Sequence, residues 1–504
     1  MESVADLLIE RACSHGPKIA VESGKDNLSY DNLLGLARRY AKWYRMSGLE
    51  GGDRVAILLP RSISALAAFF GVHLANGIVV FVGDSLKGPQ ISYILEHSQA
   101  KLVVTHKRLR NRVEVRAHIL DVSELPLAEA GGYISTSTKS GDLAALIYTS
   151  GSTGKPKGIM VTHGNLLAGA RIVANYLNLN PSDRVLSILP WNFDYGLNQV
   201  LSTFYAAGTV VIGRSGFAPD VCRLLHEAEI TGLAGVPPMW ALLTKHPSPL
   251  PKMALPHLRY ITNSGGMLPP STINSIRAAH PHLDIYLMYG LTEAFRSTYL
   301  PPDLVDLYPD SIGIPIAETK LMVVGEDGTE CASDVVGELV HGGVTVAAGY
   351  WRDEDTTARV FRPISGAVAG SVSEIVVYSG DYVRRDKNGL LYYVGRRDEL
   401  FKSRGIRVNP SEIEASLLAC KFVSEAVVMG VSNSSADASI VAVVVPTDID
   451  VEDRLWEHCE KYLPGHLQPD KIIMVSALPR TSTLKLDRSA IRKKYSTSYS
   501  KAIS

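Results

Sequence analysis

The sequence lacks most features that assign a chain to a special class. Of its 504 residues only five are cysteine: Cys13, Cys222, Cys331, Cys420 and Cys459. They are scattered, odd in number and without metal-ligand spacing. This argues against a disulfide framework or a cysteine metal site and for free thiols in a reducing, cytoplasmic compartment. Lysine plus arginine and aspartate plus glutamate each number 51, so the formal net charge is zero. No charge field is present to draw in nucleic acid or an anionic membrane. The segment Met1 to Arg11 mixes acids with apolar residues and has no signal-peptide core. One uncharged run, Ile63 to Val82, is interrupted by Ser64, His73, Asn76 and Gly77. It predicts a buried helix closing near Asn76-Gly77 and a buried strand Ile78–Val82, not a membrane span. There is no internal repeat and no long low-complexity linker.

What is present is ordinary for a globular protein, 46% hydrophobic and 20% charged. Its length predicts two or more domains. A helical pattern covers Leu33 to Trp43. Short apolar runs follow at Arg54–Leu59, Ile78–Val82, Lys101–Thr105, Arg184–Leu189, Thr209–Ile212 and Leu258–Asn263, alternating with apolar helices. This predicts an α/β domain with largely parallel, buried strands. From about Glu338 the texture becomes β-rich, at Gly337–His341, Glu374–Tyr378 and Leu390–Val394. After the charged turn Gly395-Arg396-Arg397-Asp398-Glu399 comes a compact unit with helices Ser411–Leu418 and Asp453–Tyr462 and strands Ala426–Val431 and Ile440–Val445. The expectation is a large N-terminal domain of layered sheets and helices, residues 1–394, and a smaller α+β domain, residues 395–504.

The stretch Tyr148-Thr149-Ser150-Gly151-Ser152-Thr153-Gly154-Lys155-Pro156-Lys157-Gly158 follows the apolar run Leu143 to Ile147. Its glycines, hydroxyls and lysines have the chemistry of a loop wrapped around a polyphosphate. It is not the kinase and GTPase P-loop, because Thr149 replaces the first glycine and Pro156 the Ser/Thr. A flexible surface turn is its bland alternative. A second constellation is Leu287-Met288-Tyr289-Gly290-Leu291-Thr292-Glu293. Tyr289 suits stacking on a base, Thr292 a phosphate and Glu293 a magnesium ion; a strand-end turn with a helix-capping Thr-Glu is the alternative. Gly265-Gly266 lets a flat ring lie against backbone. Asp381, in Ser379-Gly380-Asp381, suits the two hydroxyls of a ribose.

Together these motifs resemble the adenylate-forming ligases: acyl-CoA synthetases, adenylation domains of peptide synthetases, and luciferases. The resemblance runs from the helices near residue 30 to Lys485. The stretch Thr262 to Pro315 also resembles acyl-CoA ligases encoded beside exosortase clusters. It implies that Thr149 to Lys157 and Thr292 bind phosphates, that Gly265 and Gly266 lie on the adenine side, and that Asp381 and Arg396 hold ribose or phosphate. It further implies a hinge at Asp398, about which the C-terminal domain is mobile, and a pantetheine tunnel near Gly405 and Arg407. Lys485, in Leu478-Pro479-Arg480-Thr481-Ser482-Thr483-Leu484-Lys485, matches the catalytic lysine. Leu484 departs from the family's usual glycine there.

The resemblance implies an AMP-forming acid–thiol ligase using ATP and Mg2+, with a pantetheine thiol of a carrier protein or coenzyme A as acceptor. The acid pocket would be lined by Asp194, Tyr195, Asn198, Gly235, Ser264, Met288, Arg296 and Ser297. The bulk of Tyr195 and Met288 suits a small acid. Asp194 matches the position that pairs with the ammonium of amino-acid substrates, or is a helix N-cap. Arg296 reads an acidic group or pairs with Asp194. The tail cations Arg488, Arg492, Lys493 and Lys494 serve the thiol partner or are solvated. A degenerate nucleotide-binding protein and a luciferase-like oxidase are the other readings.

Overall fold

The computed structural model describes residues 1–504 apart from 115–116, 127–137, 151–154, 215, 245–246, 364–373, 398, 400, 405, 433–437, 449–450, 482–485 and 504; at 150, 406–407, 432 and 496–503 it describes the backbone alone. The protein is α/β, with a large N-terminal domain and a smaller α+β C-terminal one.

The expected alternation builds two sheets in the N-terminal part. A six-stranded sheet runs in the order 118–121, 100–105, 54–57, 78–81, 143–150, 156–162. It is parallel except for its last pair, the hairpin Leu143–Ser150/Pro156–Thr162. Helices cover it, which is why its strands read as continuous apolar runs. The uncharged run becomes the buried helix Ile63–Leu74, with the Ser62 hydroxyl accepting from Ala65 N–H, then the strand Ile78–Phe81. Asn76, at φ +61°, turns the chain between them. Among the described residues no helix is long and apolar enough to cross a membrane.

In the larger sheet, strands Arg184–Ser187, Gly232–Gly235, Tyr260–Asn263 and Asp284–Tyr289 lie side by side and parallel. Being parallel, they share one carboxyl-end side, the side on which open α/β sheets bind ligands. The direction then reverses through Thr298–Leu300 and Ser311–Pro315. The β-rich segments anticipated from the sequence extend this sheet as Leu391–Arg396, Ile375–Arg385, Val336–Gly343 and Thr319–Val324.

The C-terminal unit is a three-stranded sheet, Val423–Ser432, Ala438–Pro446 and Lys471–Met474, with helices Pro410–Ala419 and Glu452–Tyr462. It has its own core, including Val408, Ile413, Leu417, Val444 and Leu455. Strand Leu391–Arg396 carries Gly395 and Arg396 past the expected boundary, pairing with Tyr382 and Asp381. We propose the turn after Arg396 as the division. Arg488 corrects one expectation: it is not simply a solvated tail cation. Its guanidinium forks onto Glu414 at 2.8 and 2.6 Å and lies 3.5 Å from Glu399. Glu414 is buried and needs that counter-charge.

Four histidines lie inside the fold: His73, His163, His280 and His341. Burial pushes His73 well below the ordinary 6.5, His163 to about 4 and His341 to about 3. The unfolded chain therefore binds more protons than the native one between these values and 6.5. Stability is full above about pH 6.5 and falls as the pH drops toward 4. The urea midpoint should decline over that interval, and His341→Leu should flatten part of the slope. Identical slopes in the two proteins would remove His341 from the account.

Candidate active site

One turn, Tyr289 to Arg296, sends four side chains to three parts of the chain: strand Ile375–Arg385, helix Asp194–Tyr205 and Tyr350. The Tyr289 hydroxyl donates to Asp381 Oδ2 at 2.5 Å. Thr292 Oγ1 donates to Asp194 Oδ1 at 3.3 Å. Glu293 Oε1 accepts from the Tyr350 hydroxyl at 2.7 Å. The Arg296 guanidinium lies 4.6 Å from the centre of the Tyr195 ring. No helix begins here; the next element is strand Thr298–Leu300. The helix-capping alternative for Thr292 and Glu293 therefore does not hold.

The turn is strained and locked. Phe295 has φ +53° while Arg296 N–H donates to Ala294 C=O at 2.6 Å, closing a three-residue turn. That γ-turn is rare for a side-chain-bearing residue and persists where surroundings over-determine it. Here the Phe295 ring is fully buried. It packs where a Cβ on Gly169 would come within 2.6 Å of it. Ala347 N–H ties Glu293 C=O at 2.9 Å.

At the expected ribose end, Asp381 and Arg396 face each other across paired strands, with Arg396 Nε 3.3 Å from Asp381 Oδ1. Burial, and then the Asp381 charge, push the Tyr289 hydroxyl far up, so it remains a neutral donor. Gly265, at φ +78°, makes the exposed turn that follows strand Tyr260–Asn263, and Asn263 Nδ2 closes it on Gly266 C=O at 2.9 Å. Only glycine adopts this backbone without strain.

At the expected phosphate loop, the hairpin places Thr149 opposite Lys157. Lys157 Nζ lies 3.4 Å from Asp353, 3.0 Å from Thr356 Oγ1 and 5.4 Å from the Tyr350 ring. It thus joins the cluster that holds Glu293. Lys155 sits over Tyr93 at 5.8 Å. Gly151, Ser152, Thr153, Gly154, Asp398, Gly405 and Lys485 lie outside the described residues, as does the Ser150 side chain. Arg407 is on strand Ile406–Val408, opposite Lys402.

At the acid pocket, Tyr195, Asn198, Met288 and Arg296 line one narrow cavity of about 10 Å³, with Gln199 and Thr262 beside them. That is room for about one water. Gly235 and Ser264 sit at neighbouring strand ends, joined by Ser264 N–H on Gly235 C=O at 3.3 Å. They are not among its lining residues. Asp194 is not the N-cap: Phe193 caps helix Asp194–Tyr205, and Asp194 is its buried first residue. Nor, among the described residues, does any ion pair join it to Arg296; Thr292 is its partner instead.

Two family models match the chain in succession: an AMP-binding enzyme model over residues 9–351 and the AMP-binding enzyme C-terminal domain over 412–485. The chain belongs to the AMP-binding enzyme family. Relatives include gramicidin S synthase 2 of Brevibacillus brevis, 28% identical over 97% of this chain and 11% of that protein, and delta-poly-L-ornithine synthetase of Acinetobacter baumannii, 29% identical over 97% and 36%. The chain thus spans a small part of the curated relatives it matches. ATP-bound MatB from Rhodopseudomonas palustris superposes with a TM-score of 0.89 at 26% identity, covering 99% of this chain and 100% of that one. O-succinylbenzoate coenzyme A synthetase from Bacillus subtilis, with ATP and magnesium ion, superposes at 0.87 and 25% identity, covering 96% and 99%.

In this AMP-binding enzyme the sequence reading missed Tyr350, Asp353 and Thr356. Gly349-Tyr350-Trp351 running into Arg352-Asp353-Glu354-Asp355 is a visible signal, but its partners lie far off in the chain. Gly169→Ala should force the Phe295 ring to shift and loosen the turn, at about 1–3 kcal/mol for an overpacked core. Melting temperature and adenylate formation should fall together; a normal rate in a destabilised variant would free the turn from that constraint.

Proposed function

We propose that this AMP-binding enzyme activates a small carboxylic or amino acid with ATP as acyl-AMP, releases pyrophosphate, and passes the acyl group to a pantetheine thiol. The observation carrying this reading is the convergence, through one locked turn, of ribose-type, phosphate-type and acid-pocket groups. A carboxylate is a poor electrophile. Its oxygen attacks the α-phosphorus of ATP and the bond to pyrophosphate breaks; the thiol sulfur then attacks the acyl carbon, AMP leaves, and the thiol proton is released. No protein nucleophile is required. The work is to bring anions together and stabilise the shifting charge.

Asp381 and Tyr289 hold the ribose edge and Arg396 the phosphate edge, since a carboxylate has lone pairs beyond those used here. Thr292, the Thr149–Lys157 loop and Lys485 supply donors and positive charge. Glu293 fits magnesium, which takes one or two carboxylates and completes its shell with phosphates and water; the ion would neutralise charge on the leaving pyrophosphate. Rotation about Asp398 then exchanges Lys485 for the tunnel at Gly405 and Arg407.

Burial of Asp194 away from any cap supports the amine reading. Amino-acid substrates favour a carrier protein as acceptor over coenzyme A.

Lys485→Ala should cut adenylate formation by at least ~10²-fold, the scale of one transition-state donor, while sparing thioester formation from pre-made acyl-AMP. Equal loss in both half-reactions would refute the role. Asp194→Ala should weaken pyrophosphate exchange with small amino acids by on the order of 3 kcal/mol, the cost of an unpaired buried ammonium. Undiminished exchange in that variant would discard the amine.

A further inference from the structure

Arg296 is the least explained charge in the molecule. It is 2% exposed. Its Nε has no hydrogen-bond partner, and no carboxylate pairs with it among the described residues. Its neighbours are the Tyr195 ring, Tyr176 and Met288, and the Tyr176 hydroxyl is engaged with Met288 Sδ at 2.9 Å. Beside it, Asn198 Nδ2, Asn198 Oδ1 and Gln199 Oε1 are also buried without partners. All three residues line the same cavity, of about 10 Å³. One water makes about three hydrogen bonds, too few for this set and no counter-charge. A buried cation without an anion costs several kcal/mol, more than stacking on one ring returns. The strained turn at Phe295 immediately precedes it and holds it inward.

We propose that Arg296 receives a second carboxylate of the substrate, so that the acid activated is a short dicarboxylic acid, with or without an amine. This rests on the proposed function. One carboxylate enters the narrow cavity, where Arg296 neutralises it and the Asn198 amide donates to it. The other stays near Thr292 for activation. At about 10 Å³ the cavity holds about one water, so an entering carboxylate displaces that water and the surrounding side chains move apart; an acyl chain has no room there.

The test pairs binding with turnover. Succinate and glutarate, their monomethyl esters, butyrate, aspartate and glutamate are assayed by ATP–pyrophosphate exchange and by calorimetric titration in the presence of a non-hydrolysable ATP analogue. Wild type, Arg296→Lys and Arg296→Gln are compared. The diacids should exceed their monoesters in kcat/KM by about 10²-fold, the worth of a hydrogen-bonded charge, and that ratio should collapse in Arg296→Gln. The same variant should melt at a higher temperature than wild type, because an unpaired buried charge is gone. Equal turnover of diacid and monoester overturns the inference and leaves the proposed function standing. Diacid binding that needs Arg296, with no exchange from any acid, sinks the proposed function and with it the diacid as substrate, leaving Arg296 an anion site only. Neither exchange nor diacid binding overturns both.

Discussion

The site depends on a backbone constraint: the left-handed Phe295 that closes the turn after strand Asp284–Tyr289. A bulky side chain at positive φ is unfavourable in isolation. It persists because its ring fills a space inside the core that Gly169 leaves open. With Phe295 fixed, the residues on either side have little freedom. Thr292 and Glu293 point to Asp194 and Tyr350, and Arg296 is turned inward onto Tyr195. A flexible loop would not hold carboxylate, hydroxyl and guanidinium groups in one arrangement across a crevice.

The charges around this turn divide by how they are satisfied. Asp381 is paired with Arg396 and accepts from Tyr289. Lys157 is paired with Asp353. Glu414 in the C-terminal unit is held by Arg488. These groups are stable in the absence of any ligand. Arg296, buried and without an anion among the described residues, is the exception, and a buried charge is costly until it is paired.

The motif loops were legible because glycines, hydroxyls and lysines at those spacings are poor choices for a strand or helix and good ones for an anion. The parallel strands were legible because their apolar runs have no polar face, as at Thr209–Ile212, where every residue is buried. Individual side chains were harder. Asp194 reads equally as a cap or a ligand, since both favour an acid at a helix start. Arg488 stands in a run of tail cations and gives no sign of its pairing with Glu414. Tyr350 reaches Glu293 from 57 residues away, and Thr356 reaches Lys157 from 199.

The sequence by itself determined the AMP-binding enzyme architecture and the residue types of its candidate nucleotide site, because these follow from local composition and spacing. Only the tertiary structure decided which side chains meet: that Asp194 faces Thr292, that Glu293 is held by Tyr350, and that Arg296 meets no anion among the described residues. Ion pairs and buried hydrogen bonds join residues far apart in the chain. Their partners are chosen by how strands and helices stack, which no local pattern encodes.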